Sequence, residues 1–392
     1  MISLITLLFY LVTFYGMRYS GFKKLHNNFL SLKILNGLKG LASLSILIGH
    51  INLDNQEYAE KKLFQTPPGL GRFYPAFFMF CSGYGLMVSF KKKKNYLNNF
   101  LKRRVLTTLI PYLLCRLIGY ICDTYITFDS NKSLFYYLNP IIIFKKIILF
   151  DHNWFACEII ILYFLFYVLF SFFTNRNINR FIMLLLSWLI LFIPTYYSNS
   201  EHHIKYIFVR VVYHQAIGSF IYGLLIGDYE EIIIQFIDKY FYIFLILASL
   251  FPFYYYFFIK YIRDLPLETG KYLNFWLYVT KYNILSILMY SCVLIITMKI
   301  QLNNIILDYL GKFTFENYLY HTLLLKLDKN IKIIVKTESV FWKYFGLIMV
   351  SLYIGEKIHY LDNFLISLIN KDDNKIIKNN SVDEINYKIK IQ

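Results

Sequence analysis

Residues 154–173, WFACEIIILYFLFYVLFSFF, carry a single charged side chain, Glu158, in twenty positions. At 1.5 Å per residue a helix of this length covers about 30 Å, the thickness of a bilayer's hydrocarbon core. No water is available there to satisfy backbone amides, so such a run must bond internally as a helix or across strands in a closed barrel. A barrel needs segments of about 10 residues with alternating polarity, and this stretch does not alternate. Outward from it, comparable apolar runs recur near 2–17, 36–52, 74–90, 105–122, 181–197, 206–226, 240–259, 282–298, 310–327 and 340–355. With 57% hydrophobic and only 17% charged residues, a soluble domain could not hide so much apolar surface. The sequence predicts an all-α, polytopic transmembrane helix bundle of about 10–11 spans. The less uniform segment from Leu134 to Phe150, with Pro140, Lys145 and Lys146, reads as interfacial or re-entrant.

Charge distribution orients the bundle. The net charge of +17 could suggest nucleic acid, but the basic residues sit in short connections between apolar runs, which fits the positive-inside rule better than a groove for DNA or RNA. Residues 91–104, KKKKNYLNNFLKRR, contain no acid and belong on the cytoplasmic side. The connection 18–35, with Arg18, Lys23, Lys24 and Lys33, falls on that side too, as do Arg176 and Arg180. The stretch 228–239 is the exception, since it brings Asp228, Glu230, Glu231 and Asp238 to a nominally inner position, where acids weigh little in the rule. Three regions follow: residues 1–32 as an extra membrane anchor with its basic connection, 33–355 as the transmembrane domain, and 356–392 as a polar cytoplasmic tail, disordered from Lys371. Cys81, Cys115, Cys122, Cys157 and Cys292 lie in or beside apolar runs without metal or redox spacing, as small hydrophobes do.

Polar groups inside the runs are the candidates for chemistry, because an ionisable residue at membrane depth is costly and faces protein or water. In LNGLKGLASLSILIGH, residues 35–50, Lys39 and His50 are eleven positions apart, so they share a helix face about 16 Å from one another. Ser43 lies on that face. Singly, His50 fits a packing role and Lys39 a snorkelling charge. Arg103 and Arg104 fit either a topology anchor or a phosphate fork. Arg116 must face protein, with Glu158 as a pairing partner. Trp154 suits an interface. Asn317, Tyr318 and His321 fall on one face of the 310–327 run. Together, His50, Trp154, Glu158 and His321 map to the outer half of the membrane in one orientation, which scattered packing residues need not do. His202, His203 and His214 read as solvated. No metal site is expected, and the metalloprotease, Ser-hydrolase and P-loop motifs are absent from the sequence.

These residues resemble acyltransferase family 3, the integral membrane O-acyltransferases. The family's opening Asp-Gly-Leu-Arg-Gly pattern, with a His at fixed distance from the Arg, is similar to Asn36-Gly37-Leu38-Lys39-Gly40 and His50. Its Phe-Phe…Ser-Gly helix looks like Phe77, Phe78, Ser82 and Gly83, and its basic loop running into Ile-Pro-Tyr looks like Arg103, Arg104 and Ile110-Pro111-Tyr112. Trp154, Phe155 and Tyr163, then Gly311, Lys312, Tyr318, Leu319 and His321, match the remaining motifs in family order. Lys39 replaces the usual Arg, Asn36 the usual Asp, and Thr107 or Thr108 stands where a second loop Arg is expected.

The resemblance implies transfer of an acyl group, usually acetyl from acetyl-CoA as co-substrate, to a hydroxyl of an envelope polysaccharide or lipid-linked glycan in a bacterial inner membrane. It implies His50 as base or acyl carrier, His321 and Glu158 as supporting or acceptor-binding groups, and Lys39, Arg103 and Arg104 as holders of the CoA phosphates. A polytopic transporter or flippase for a glycan or lipid precursor is the alternative, using the same polar line as a path. The charge bias yields a direct expectation. In a background without native cysteines, a cysteine at Asn98 will resist impermeant thiol reagents in intact cells, and one at Gln56 will react. The reverse pattern would invert the bundle.

Overall fold

The apolar runs among the described residues satisfy their own amides as helices, and these residues are predominantly helical with almost no sheet. The computed structural model describes residues 4–21, 24–26, 28–54, 73–126, 139–140, 154–197, 216–251, 253–256, 271–331 and 340–389. In chain order these form α1 (Leu4–Phe14), β1 (Arg18–Tyr19), α2 (Leu32–Asp54), α3 (Phe73–Lys92), α4 (Phe100–Ile126), α5 (Trp154–Phe172) and α6 (Arg176–Tyr197). Then come α7 (Ile217–Asp228), α8 (Glu230–Lys239), α9 (Phe241–Ser249), α10 (Lys271–Thr297), β2 (Ile300–Gln301), α11 (Ile305–Leu310), α12 (Thr314–Ile331) and α13 (Val340–Ile389). The two strands form a small antiparallel ladder, Arg18 opposite Gln301 and Tyr19 opposite Ile300, which fastens the N-terminal connection to the segment before α11.

Among the described residues four helices, α2 to α5, are long and apolar enough to cross a membrane, with α8 and the helix after it as a fifth if that bent pair is one span. The membrane-bundle class stands, while the span count of ten to eleven is not reached among the described residues. The 134–150 and 206–215 segments fall largely or wholly outside them, as do His202, His203 and His214. The first run is helical over 11 described residues, about half of a hydrocarbon core in length. Asn304 holds its end: its side-chain amide donates to the carbonyls of Val12 and Tyr15 at 2.8 and 2.9 Å, while its oxygen caps α11 through Leu307 N at 2.9 Å. The run read as 310–327 is broken at Gly311–Phe313, between α11 and α12. The polar tail, expected to be disordered, continues α13 to Ile389; residues 371–389 contain no glycine or proline to stop the helix.

Small residues set how the helices meet. In lipid there is no hydrophobic drive between helices, so close backbone contact carries the packing. On the α3–α7 contact, the most extensive in the bundle, a Cβ on Gly83 would run into the Phe220 carbonyl, and one on Gly223 into the Phe80 carbonyl. Gly227, one turn further along α7, would place a Cβ 3.0 Å from the Tyr84 oxygen. On the other side, Gly40 of α2 meets the Leu307 carbonyl and Gly311 meets that of Asn36. The glycines of the recurring motifs are therefore approach points.

The acidic stretch loses its conflict with the charge rule. Arg176 and Arg180 both bind the Asp228 carboxylate, the latter at 2.7 Å. Lys91 donates to the Asp228 carbonyl at 2.7 Å, and Tyr84 donates to Glu230 at 2.9 Å. Asp228 and Glu230 thus sit at the same end as the basic connection, and Asp228 is ion-paired there. Beyond them α8 buries no side chain, leaves Ile232 and Phe236 exposed, and meets the following helix at 86°, the geometry of a helix lying in an interface.

The glycine contacts can be tested directly. Gly83→Leu should lower the thermal stability of the detergent-purified protein by an overpacking cost of about 1–3 kcal/mol or more. Gly85→Ala, two residues away with nothing within 4 Å of a Cβ, should be neutral or slightly stabilising.

Candidate active site

α12 runs alongside α2 because Gly311 seats on Asn36 and Gly40 on Leu307. Following the two helices outward, Asn317 Nδ2 donates to Ser43 Oγ at 2.7 Å. One turn further, the rings of His321 and His50 stand with centroids 4.8 Å apart, tilted by 59°. α13 returns in the opposite direction behind them: Tyr344 donates to the Ile48 carbonyl at 3.3 Å, and Ser351 donates to Asn317 Oδ1 at 3.2 Å. Asn317 is thereby held by all three helices. Sequence spacing anticipated Asn317 and His321 on one face; it could not show that this face is the one opposite His50.

The tautomer of His321 follows from its partner. Nδ1 lies 3.0 Å from the Asn317 carbonyl, which can only accept, so Nδ1 carries the proton and Nε2 the lone pair. That Nε2 is buried with no hydrogen-bond partner among the described residues. His321 is 2% exposed. His50 is half-buried, so of the two it is the one a substrate can reach. Tyr318 closes the other side, its ring 5.8 Å from that of His321 and 5.3 Å from Phe155 on α5.

A second polar group gathers where α3, α4 and α5 meet. Ser82 and Tyr163 share a hydrogen bond of 2.7 Å between α3 and α5. The Arg104 guanidinium stacks over the Tyr163 ring at 5.8 Å and donates to the Tyr96 hydroxyl at 2.9 Å. Arg103 instead donates to the carbonyls of Tyr96 and Asn98, at 2.7 and 3.2 Å, and so holds the turn in which Asn95 and Asn99 adopt positive φ. Lys39 is close enough to Cys81, the neighbour of Ser82, for its charge to act there. Of the three cations expected to bind phosphate, Arg104 and Lys39 thus approach the Ser82–Tyr163 contact, and Arg103 does not. Tyr96 escaped the sequence reading, although an aromatic in an otherwise basic and polar connection was a signal. So did Ser351, a small polar residue inside an apolar run.

Glu158 stands apart. It is 4% exposed, and neither oxygen has a partner among the described residues. The pairing expected with Arg116 is not made: the groups that act on Arg116 are Tyr112, Cys115, Cys157 and Asp123. The reason is helical phase. Cys157 faces Tyr112 of α4, and the next residue points about 100° away, onto the face from which Phe155 meets α3 and α12. Glu158 therefore looks toward the Tyr318–His321 side of the bundle without bonding either histidine. The side chain of Trp154 lies outside the described residues. Among the described residues no three His, Cys, Asp or Glu side chains are grouped to hold a metal ion.

Comparison with known proteins completes the assignment. Neither curated proteins nor solved structures provide a match. A family model described as an acyltransferase domain matches residues 32–355, from the first turn of α2 to Gly355 on α13, and takes in every residue of both polar groups. The match covers well over half of the chain, which therefore belongs to acyltransferase family 3, the membrane O-acyltransferases.

Proposed function

We propose that the protein transfers an acetyl group from acetyl-CoA to a hydroxyl of an envelope polysaccharide or lipid-linked glycan, in a bacterial inner membrane. The observation that carries this reading is the half-buried His50 set against the buried His321 in an apolar bundle, with Lys39 at the far end of the same helix. A neutral imidazole accepts a hydroxyl proton near neutral pH. His50 would take the proton from the acceptor hydroxyl while the hydroxyl oxygen attacks the thioester carbonyl. The C–S bond then breaks, and the proton passes to the departing sulfur as CoA leaves as a thiol. Acyl transfer through His50 itself divides the same exchange into two steps. His321, fixed by Asn317, would hold the His50 ring and the charge that develops on it.

Lys39, Arg103 and Arg104 would hold the donor's phosphates, leaving its extended thioester arm to bridge the roughly 16 Å along α2 to His50. Glu158, on the face turned toward α12, supports a role in receiving an acceptor hydroxyl.

His50→Ala should lower acyl transfer by at least about 10²–10⁴-fold without loss of insertion. Mass spectrometry of envelope glycans with and without the variant measures this; normal acylation from a well-expressed variant would reject the assignment and favour a transporter.

The cations should differ. Arg104→Lys cannot reproduce two parallel bonds to a phosphate and should weaken acetyl-CoA binding in calorimetry, more so at low salt. Arg103→Lys, whose guanidinium holds loop carbonyls, should disturb binding less, and Lys39→Arg should be tolerated. Unchanged affinity in Arg104→Lys and Arg104→Glu would remove the loop from the donor site.

A further inference from the structure

The family match ends at residue 355, but α13 does not. Just beyond it, the helix turns His359 and Asp362 onto the first turns of α12. His359 Nδ1 lies 2.8 Å from Glu316 Oε1, and its Nε2 lies 3.0 Å from Asn363 Nδ2. Asp362 is 1% exposed, and neither carboxylate oxygen has a hydrogen-bond partner among the described residues. The hydroxyl of Tyr320, one turn after Glu316, is buried in the same condition. Buried carboxylates are ordinarily hydrogen-bonded or paired, so a bare one beside a second acid and one imidazole is an arrangement sensitive to protons.

We propose that Glu316, His359 and Asp362 form a pH-sensitive clamp that fastens the extension of α13 to α12 and loosens as the pH rises. Two titrations act in the same direction. The pKa of His359 is raised, first by its hydrogen bond to Glu316, with burial opposing. Its contribution to the closed clamp is full below the free value and lost as pH passes the raised one. Asp362 is pushed up to about 7, first by burial and then by the charge of Glu316, with His359 opposing. The closed clamp therefore accepts a neutral Asp362, and above about 7 it must hold a second negative charge beside Glu316.

Neighbouring groups are accounted for on each packed element. α12 contributes Glu316 and Tyr320, and α4 turns Cys115 toward Tyr320. Arg116 of α4 is directed at Tyr112, Cys115, Cys157 and Asp123. On α13 itself Glu356 accepts from Tyr309, and Lys357 lies over the rings of Tyr353 and Tyr360. Among the described residues, the charges that act on His359 and Asp362 come from α12 and α13 and not from α2. Glu316 precedes Asn317, which ties α12 to Ser43 and Ser351, so the clamp bears on the segment that carries His321.

The test is hydrogen–deuterium exchange of the full chain in lipid nanodiscs, followed by mass spectrometry and corrected for intrinsic exchange. With Asp362 titrating near 7, protection of residues 356–369 should fall about tenfold between about pH 6 and about pH 8.5. Asp362→Asn should lose most of that fall. Glu316→Gln, which removes the charge that both other groups sense but not the burial of Asp362, should reduce it, and carries the same test should the first variant fail to insert. Wild-type protection that does not change, or a full wild-type fall retained in either variant, overturns the clamp. The readout needs no turnover, so it stands or falls separately from the acetyl-transfer reading.

Discussion

Everything near the histidines depends on two backbones touching. The Asn36 carbonyl occupies the place where a side chain at position 311 would begin, and the Leu307 carbonyl does the same for position 40. This contact fixes α12 against α2 at their shared end. From there the geometry is set by two rigid helices: Asn317 reaches Ser43, and His321 reaches His50. In a bilayer such contact is a strong organising force, because lipid tails compete well for apolar side chains and poorly for close backbone packing.

The same medium explains why the polar residues are informative. Water would dilute the meaning of a bare carboxylate or a lone imidazole, whereas a buried one must be paired or kept neutral. Most polar groups in the described bundle obey this. Asn317 is held by two serines, Tyr163 by Ser82, and Asp228 by two arginines. Among those that do not, Glu158 and the Nε2 of His321 lie on α5 and α12, while Asp362 and the Tyr320 hydroxyl lie where α13 meets α12. Exceptions of this kind are expected where a molecule leaves room for something other than itself.

The cations divide by partner. Arg103 holds the turn of its own connection, while Arg104 and Lys39 are directed inward, toward Tyr163 and Cys81. A single basic connection therefore serves as anchor and as a candidate phosphate site through adjacent residues. Of the acids at 228–230, which looked misplaced by charge alone, Asp228 is ion-paired with Arg176 and Arg180, and Glu230 accepts a hydrogen bond from Tyr84.

Much of this was legible in the residues. Apolar run length dictates helices, since an amide in hydrocarbon has no other partner. Spacing along one helix is likewise local, so the shared face of Lys39, Ser43 and His50, and that of Asn317 and His321, could be read directly. What a single sequence does not contain is rotation of one helix about another. The Arg116–Glu158 pairing failed for that reason: both residues sit at plausible depth, yet α5 turns Glu158 about 100° away from the face that meets α4. The break at Gly311–Phe313 and the clamp from α13 were also invisible, because each exists only where a distant backbone arrives. The sequence by itself determined the class of fold, the spacing of polar groups along each helix and the motifs of the family. Tertiary structure alone decided which groups meet, because helix phase and approach are set by contacts between residues hundreds of positions apart.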